Sequence, residues 1–203
     1  MVDALLKGIT LGLLLAISVG PIVFTVIKQS MVNGHKGGFA FIAGISLSDI
    51  LLVVFSNLFT GLFDLLNTHK KTLSIIASVF LIIIGIYYLF FKKVRMADVD
   101  TGNIIMARGD YIKLFVTGFI MNLFNPGIII FWLTTATTFS SDNVNHRIII
   151  FTIALLIALM ADIVKVMLAN RIRKNMTSKN IHRVNMINGI ILVGFGVFII
   201  FLG

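Results

Sequence analysis

Six apolar stretches, each close to the length that a helix needs to cross a bilayer, occupy most of this 203-residue chain. A transmembrane helix requires about 20 predominantly apolar residues. The stretches run over residues 4–27, 39–63, 73–91, 114–138, 147–169 and 185–202. Hydrophobic residues make up 58% and charged residues 12% of the sequence, a balance that a soluble protein of this size could not bury. The sequence therefore predicts an all-α integral membrane protein in which residues 1–203 form a single transmembrane domain.

The chain contains two prolines, Pro21 in the first stretch and Pro126 in the fourth, so each half opens with an interrupted helix. Proline removes a backbone donor and bends or breaks its helix, and the freed backbone groups are tolerated in a membrane where they line a cavity. Each half has three stretches, so related halves would enter the membrane in opposite senses. We therefore expect six transmembrane helices in an inverted 3+3 repeat, with halves at about 1–95 and 110–203 and with helices 1 and 4 broken at proline.

Basic residues are concentrated in alternate connections. Twelve of the 17 Lys and Arg residues follow the first, third and fifth stretches: Lys28, Lys36, Lys92, Lys93, Arg95, Arg108, Lys113, Arg171, Arg173, Lys174, Lys179 and Arg183. The other side carries Lys7, Lys70, Lys71 and Arg147. Because positively charged loops stay in the cytoplasm, we expect a multi-pass protein of the inner (cytoplasmic) membrane with both termini outside.

The basic cluster from Arg171 to Arg183 is expected to touch anionic membrane lipid. A regulatory or nucleic-acid-binding role is the weaker alternative, and we expect no nucleic-acid partner.

Two acids, Asp49 and Asp162, lie well inside apolar stretches. An ionised side chain near the bilayer centre costs roughly 2.5–3.5 kcal/mol on insertion scales, so such residues face the bundle interior and pair, or take up a proton. Asp49 is either a proton- or ammonium-binding carboxylate in a translocation path or an acid satisfied structurally by hydroxyls such as those of Ser46 and Ser56. Lys165 follows Asp162 by three residues, so the two can pair. This pair is either structural or opens and closes with protonation or substrate.

The two proline breaks provide the candidate substrate-binding residues Gly20, Pro21, Asn122, Asn125 and Pro126. A helix that restarts after a break presents free N–H groups that favour an anion such as a carboxylate. Asparagine amides can bind a substrate or repair exposed backbone, and a glycine-packed kink is the structural alternative at the first break.

No cluster of residues suits a cofactor or a metal ion. The chain has no cysteine, and its four histidines, His35, His69, His146 and His182, are scattered among predicted loops. We therefore expect neither a cofactor nor a bound metal.

Other residues receive structural interpretations. Gly34, Gly37 and Gly38 predict a flexible first loop, and Trp132 is expected to pack between helices or at the membrane interface. The later glycines would suit helix contacts, including those of a homodimer; they are Gly189, Gly194 and Gly196.

Three short patterns carry a resemblance to a known family. They are Gly20-Pro21 with the glycine-rich loop after it, the Gly44 to Asp49 stretch ending in Gly61-Leu62, and Asn122-Leu123-Phe124-Asn125-Pro126 with Phe131-Trp132. Together they resemble the LysE/RhtB family of amino-acid exporters along the whole chain. This chain departs from the family pattern at Val19, Ser48 and Gly127, where proline, glycine and lysine are usual.

The resemblance implies export of amino acids or close derivatives, driven by a proton or ion gradient. A carboxylate that changes protonation near the midplane could couple proton entry to substrate exit. The expected partners are a small amino-acid substrate, protons and membrane lipid, and no enzymatic activity is expected. Export of a divalent metal or another metabolite, and a non-transporting scaffold, remain the alternatives.

Overall fold

The computed structural model describes residues 1–17, 21–59, 70–91, 106–173, 183, 186–187 and 189–197. Within these ranges every regular element is a helix, which confirms the all-α prediction for the described part of the chain. The helices are α1 Val2–Ile17, α2 Pro21–Leu58, α3 Lys70–Ile86, α4 Arg108–Leu123, α5 Pro126–Thr138 and α6 Val144–Arg173. A π-helical turn, Tyr87–Phe91, extends α3, and residues 189–197 form a helical segment that we call α7.

Two helices are long and apolar enough to cross a membrane alone, over Ile22–Leu58 and Val144–Ala169. A third span is formed if the bent pair α4 and α5, whose axes differ by 59°, crosses as one unit. α1 has 16 residues and is therefore about 24 Å long, short of the roughly 30 Å hydrocarbon core. The chain is thus a helical membrane protein, and its six-span arrangement stays a prediction.

The first apolar stretch does not end where its hydropathy predicted. α1 stops at Ile17, α2 starts at Pro21, and α2 bends at Gly34, whose φ of 70° and ψ of 178° are non-helical. Glycine adopts this left-handed φ without the penalty of a Cβ. The predicted flexible loop is wrong, because Gly37 and Gly38 are helical and packed: a Cβ on Gly38 would lie 2.8 Å from Val166.

α1 packs against α6 through a stripe of small residues, Ala4, Gly8 and Gly12. A Cβ on Gly12 would lie 2.6 Å from the Cβ of Ile157 and 3.1 Å from the carbonyl oxygen of Ala154. Small residues four apart allow the two backbones to approach closely. In lipid no hydrophobic effect drives helices together, so this close packing is what favours their association.

α4 packs against α2 at two facing glycines. A Cβ on Gly118 would overlap the Phe41 carbonyl, and a Cβ on Gly44 would overlap the Phe115 carbonyl. The two backbones therefore touch here, and this contact sets the register of α4 on the second arm of α2, residues 35–58.

The glycines of α7 face α3. A Cβ on Gly189 would lie 2.9 Å from the carbonyl oxygen of Gly85, and one on Gly196 would lie 2.9 Å from that of Ser78. These two positions are used in contacts inside the chain, whereas Gly194 has no atom within 4 Å of its would-be Cβ, and the homodimer stays a prediction.

Candidate functional site

Asp49 lies in the second arm of α2, 9% exposed, between the end of α4 and the start of α5. Its Oδ1 accepts hydrogen bonds from Asn122 Nδ2 at 2.8 Å and from Trp132 Nε1 at 3.0 Å. Both donors belong to the second half of the chain. The carboxylate is thus held by groups from the second half of the chain rather than by its own helix.

The break between α4 and α5 places these two donors side by side. Asn122 lies in the last turn of α4, and its carbonyl accepts from the Asn125 N–H at 3.0 Å. Asn125 then caps α5, since its Oδ1 accepts from the N–H of Gly127 at 3.0 Å, and Pro126 occupies the first turn, where its missing N–H has no helical partner to lose. These backbone groups at the break therefore form hydrogen bonds within the break itself. The Asn122 side chain is not needed for them and binds α2 instead.

Asn122 also connects Asp49 to its neighbouring hydroxyl. Its amide nitrogen lies 2.6 Å from Ser48 Oγ, and Ser48 Oγ donates to the Ile45 carbonyl at 2.9 Å. Because an ionised carboxylate accepts only, the amide nitrogen and not the amide oxygen must face it. Asn122 and Ser48 are 1% and 0% exposed, so the network is shielded from solvent.

The two oxygens of Asp49 differ. Both donors reach Oδ1, and among the described residues no donor reaches Oδ2. Burial penalises the charge on this carboxylate, whereas the two donors stabilise it. An acid in this balance, with one oxygen held and the other available, can bind a proton or an ammonium group.

The predicted substrate-binding residues lie in different settings. Asn122 joins Asp49, while the side chain of Asn125 is used as a helix cap. Pro21 and Pro126 begin α2 and α5. Gly20 lies outside the described residues.

Asp162 and Lys165 form an ion pair within α6, with Nζ 2.9 Å from Oδ1. Their side chains are 17% and 19% exposed. The predicted pair is thus present. Both of its members lie in α6, whereas the donors to Asp49 come from other helices.

Trp132 is a member of the site that the sequence analysis did not include. It is fully buried beside Phe151, with ring centroids 6.0 Å apart, so it packs between helices as expected and also has a role in the site. A buried indole N–H requires an acceptor, and a lone tryptophan shortly after a helix break was the available signal.

Lys28 was assigned to a cytoplasmic connection, and the structure corrects this. The residue lies inside α2 with 1% exposed, beside the buried Thr25, Gln29 and Ser30. The helix continues past residue 27, and Ser30 Oγ donates to the Val166 carbonyl at 2.6 Å, which ties this first arm of α2 to α6.

Within the described part of the chain, no three His, Asp or Glu residues lie close enough to hold a metal ion.

Comparison with known proteins agrees with the resemblance noted above. The chain is 28% identical over 205 residues to the "Putative amino acid efflux protein YcgF" of Bacillus subtilis (strain 168), with 94% of this chain and 92% of that protein aligned. No solved structure gives a significant match. The family model of the LysE type translocators matches residues 13–203, and the chain therefore belongs to this family of membrane transporters.

Proposed function

We propose that this protein exports amino acids or closely related small metabolites across the cytoplasmic membrane, coupled to proton entry by alternating access between two inverted three-helix units. Family membership and the efflux protein it resembles support amino-acid transport. The observation that carries the coupling is the carboxylate of Asp49, which accepts hydrogen bonds from the opposite half of the chain.

Protonation of Asp49 would loosen the contact between the halves. Hydrogen bonds to an ionised carboxylate are about twice as strong as neutral ones. A proton on Oδ2 removes that charge and weakens the bonds from Asn122 and Trp132. The unit of α4 and α5 can then shift relative to α2, and loss of the proton on the other side restores the bonds.

The helix registers support the inverted repeat. Gly12 is the eleventh residue of α1 and meets the Ala154 carbonyl, while Gly118 is the eleventh residue of α4 and meets the Phe41 carbonyl. Each opening helix thus packs on the second helix of the opposite half. The first arm of α2, residues 21–33, also has the same length as the 13-residue α5.

The two buried acids lie at the same spacing from these two helix contacts. Asp49 follows Phe41 by eight residues, and Asp162 follows Ala154 by eight residues. The acids therefore occupy equivalent positions in the two halves, which supports a role for Asp162 and Lys165 as a second, switchable pair.

We propose that the substrate binds near the two breaks, where the sequence analysis placed Gly20, Pro21, Asn122, Asn125 and Pro126. The Asn125 side chain caps α5, so it supports this site without contacting the substrate. The N–H groups at the start of α2 would receive the substrate carboxylate. The excess of basic residues in alternate connections favours both termini outside the inner membrane. Protons and membrane lipid are the other partners of this proposal.

Efflux of labelled amino acids from proteoliposomes under an imposed proton gradient tests the proposal. The native protein is compared with Asp49→Asn, which keeps the shape of the side chain but cannot ionise, and with Asp3→Asn, which removes a 68% exposed acid. We expect gradient-driven efflux to disappear in Asp49→Asn and to persist in Asp3→Asn.

Substrate exchange without a gradient separates the two roles of Asp49. Exchange retained in Asp49→Asn assigns the proton to this residue, and exchange lost assigns it the substrate ammonium. Full gradient-driven efflux in Asp49→Asn would remove Asp49 from the mechanism, and absence of efflux for every amino acid would refute the substrate class.

A further inference from the structure

Lys7 ties the start of α1 to the turn between α5 and α6. Its Nζ lies 3.1 Å from Asp142 Oδ2 and 5.3 Å from the centre of the Phe139 ring. The same Nζ lies 2.8 Å from Asp3 Oδ2, one turn earlier on α1. Only the bonds to Asp142 and Phe139 join the first half to the second; the bond to Asp3 stays within α1.

A second contact joins the halves at this end of the bundle, which we call the α1 end. Arg147, near the start of α6, donates from Nε to Asn57 Oδ1 at 3.1 Å, near the end of α2. Asn57 is oriented by its own donation to the Val53 carbonyl at 2.8 Å.

A cavity of about 420 Å³ lies along α5 beside Leu11 of α1, the residue one turn after Lys7, and is open on the side lined by the exposed Ile130. Phe139 lines its upper end, and Gly127, next to the break between α4 and α5, lines the other. Leu11 and Thr135 form part of its walls. Volumes of 300–1,000 Å³ are typical of small-molecule sites. Phe139, which lies next to Lys7 Nζ, thus connects Lys7 to a space that leads from the helix break towards the α1 end.

The opposite end forms no equivalent bond within the described ranges, which leave out residues 92–105. Lys113 is the sixth residue of α4, as Lys7 is of α1, and it lies beside the bend of α2, where Gly37 contacts Leu114. That bend carries the cation Lys36 in place of an acid. Asp110 at this end accepts the N–H of Ala107 within its own helix. Among the described residues, no ion pair joins the start of α4 to the bend of α2.

We propose that Lys7 and Asp142 form an ionic latch that closes the cavity at the α1 end, so that the resting transporter opens at the opposite end. This proposal rests on the alternating access of the proposed function. Within the part of the chain that the structure describes, the two halves of the proposed repeat match in backbone but not in charge, and this difference favours closure at the α1 end. With both termini outside, the resting protein faces the cytoplasm, where an exporter loads its substrate.

Cysteine labelling tests the latch without any substrate. The chain has no native cysteine, so Thr135→Cys, at a cavity-lining position 5% exposed, gives a single reactive thiol. A membrane-impermeant maleimide is applied to each side of the membrane in turn, in intact cells and in inverted vesicles. In this background, Lys7→Ala and Asp142→Ala should raise the labelling rate from the α1 side about fivefold or more.

Asp3→Asn is the matched control for this labelling, because it removes an ion pair from the same lysine but leaves the bond between the halves. Labelling that is unchanged in Lys7→Ala and Asp142→Ala, or that rises equally in Asp3→Asn, would overturn the latch.

Cross-linking keeps the proposal testable where an alanine variant fails to fold. In the double variant Lys7→Cys and Asp142→Cys, a short bifunctional methanethiosulfonate reagent should join the two thiols and stop transport, and a reductant should restore it. Failure to cross-link, or transport that continues through the cross-link, would refute the proposal. A protein that transports no amino acid but shows the labelling differences would refute the proposed function and retain the latch.

Discussion

Replacing Gly118 with alanine tests whether the contact between α2 and α4 positions the acid site. A Cβ on Gly118 would overlap the backbone carbonyl of Phe41, a group that cannot rotate away as a flexible side chain would. Restoring an ordinary contact of about 3.5 Å requires the two helices to separate by ~1 Å or more.

This separation acts on Asp49 through Asn122, which follows Gly118 by one turn. The 2.8 Å bond from Asn122 Nδ2 to Asp49 Oδ1 would lengthen beyond the limit of about 3.5 Å. Overpacking costs about 1–3 kcal/mol, and loss of a hydrogen bond to a charged group costs about 1.5–3 kcal/mol. The higher helix propensity of alanine offsets up to about 1 kcal/mol. We expect the free energy of unfolding to fall by about 2–4 kcal/mol.

Thermal unfolding in detergent measures this loss as a decrease in Tm of roughly 5–15 °C, and gradient-driven efflux should be lost with it. Gly109→Ala is the control, because Gly109 begins the same helix and has no atom within 4 Å of its would-be Cβ. If Gly118→Ala unfolds at the same temperature as Gly109→Ala and transports at the native rate, the glycine contact does not position the site.

Three further substitutions separate the roles of the neighbouring groups. Trp132→Phe keeps a buried ring and removes the N–H that reaches Asp49, so the initial efflux rate should fall about tenfold or more; a native rate would show that Asn122 suffices. Asn125→Ala removes the cap of α5 and should lower the free energy of unfolding by about 1 kcal/mol with an unchanged KM, whereas a changed KM would place Asn125 against the substrate. Lys165→Met leaves Asp162 with an unpaired charge and should destabilise the protein by up to about 3–5 kcal/mol, and adding Asp162→Asn should recover most of the loss in a double-mutant unfolding cycle.

Hydropathy predicted the helical membrane class but not the ends of the helices. The first apolar stretch was expected to end before Lys28, since a cation normally marks a water-exposed connection. In the structure, α2 continues through Lys28 to the bend at Gly34, and Ser30 Oγ donates to the Val166 carbonyl of α6. A single sequence gives the charge of Lys28 but not its burial between helices. The true extent of the helix beyond residue 27 therefore could not be predicted from composition.

The members of the acid site could be predicted more readily than their arrangement. Asp49 was identified because an acid inside an apolar stretch requires a partner, and Asn122 because it precedes a proline break. Their contact depends on the register of α4 on α2, which is set by the backbone approach at Gly44 and Gly118. Small residues are frequent in membrane helices, so the sequence does not indicate which pair of glycines meets.

Under the proposed inverted repeat the two buried acids occupy equivalent positions, so the difference between their partners is informative. Protonation of Asp162 would weaken its bond to Lys165 within α6, which changes one helix and leaves the contact between the halves as it was. Protonation of Asp49 would weaken two bonds that both cross from the first half to the second. Alternating access requires that the proton change the energy of one half relative to the other. Of these two acids, Asp49 has the contacts to do this directly, and Asp162 can contribute only if its pair with Lys165 first opens towards the neighbouring half.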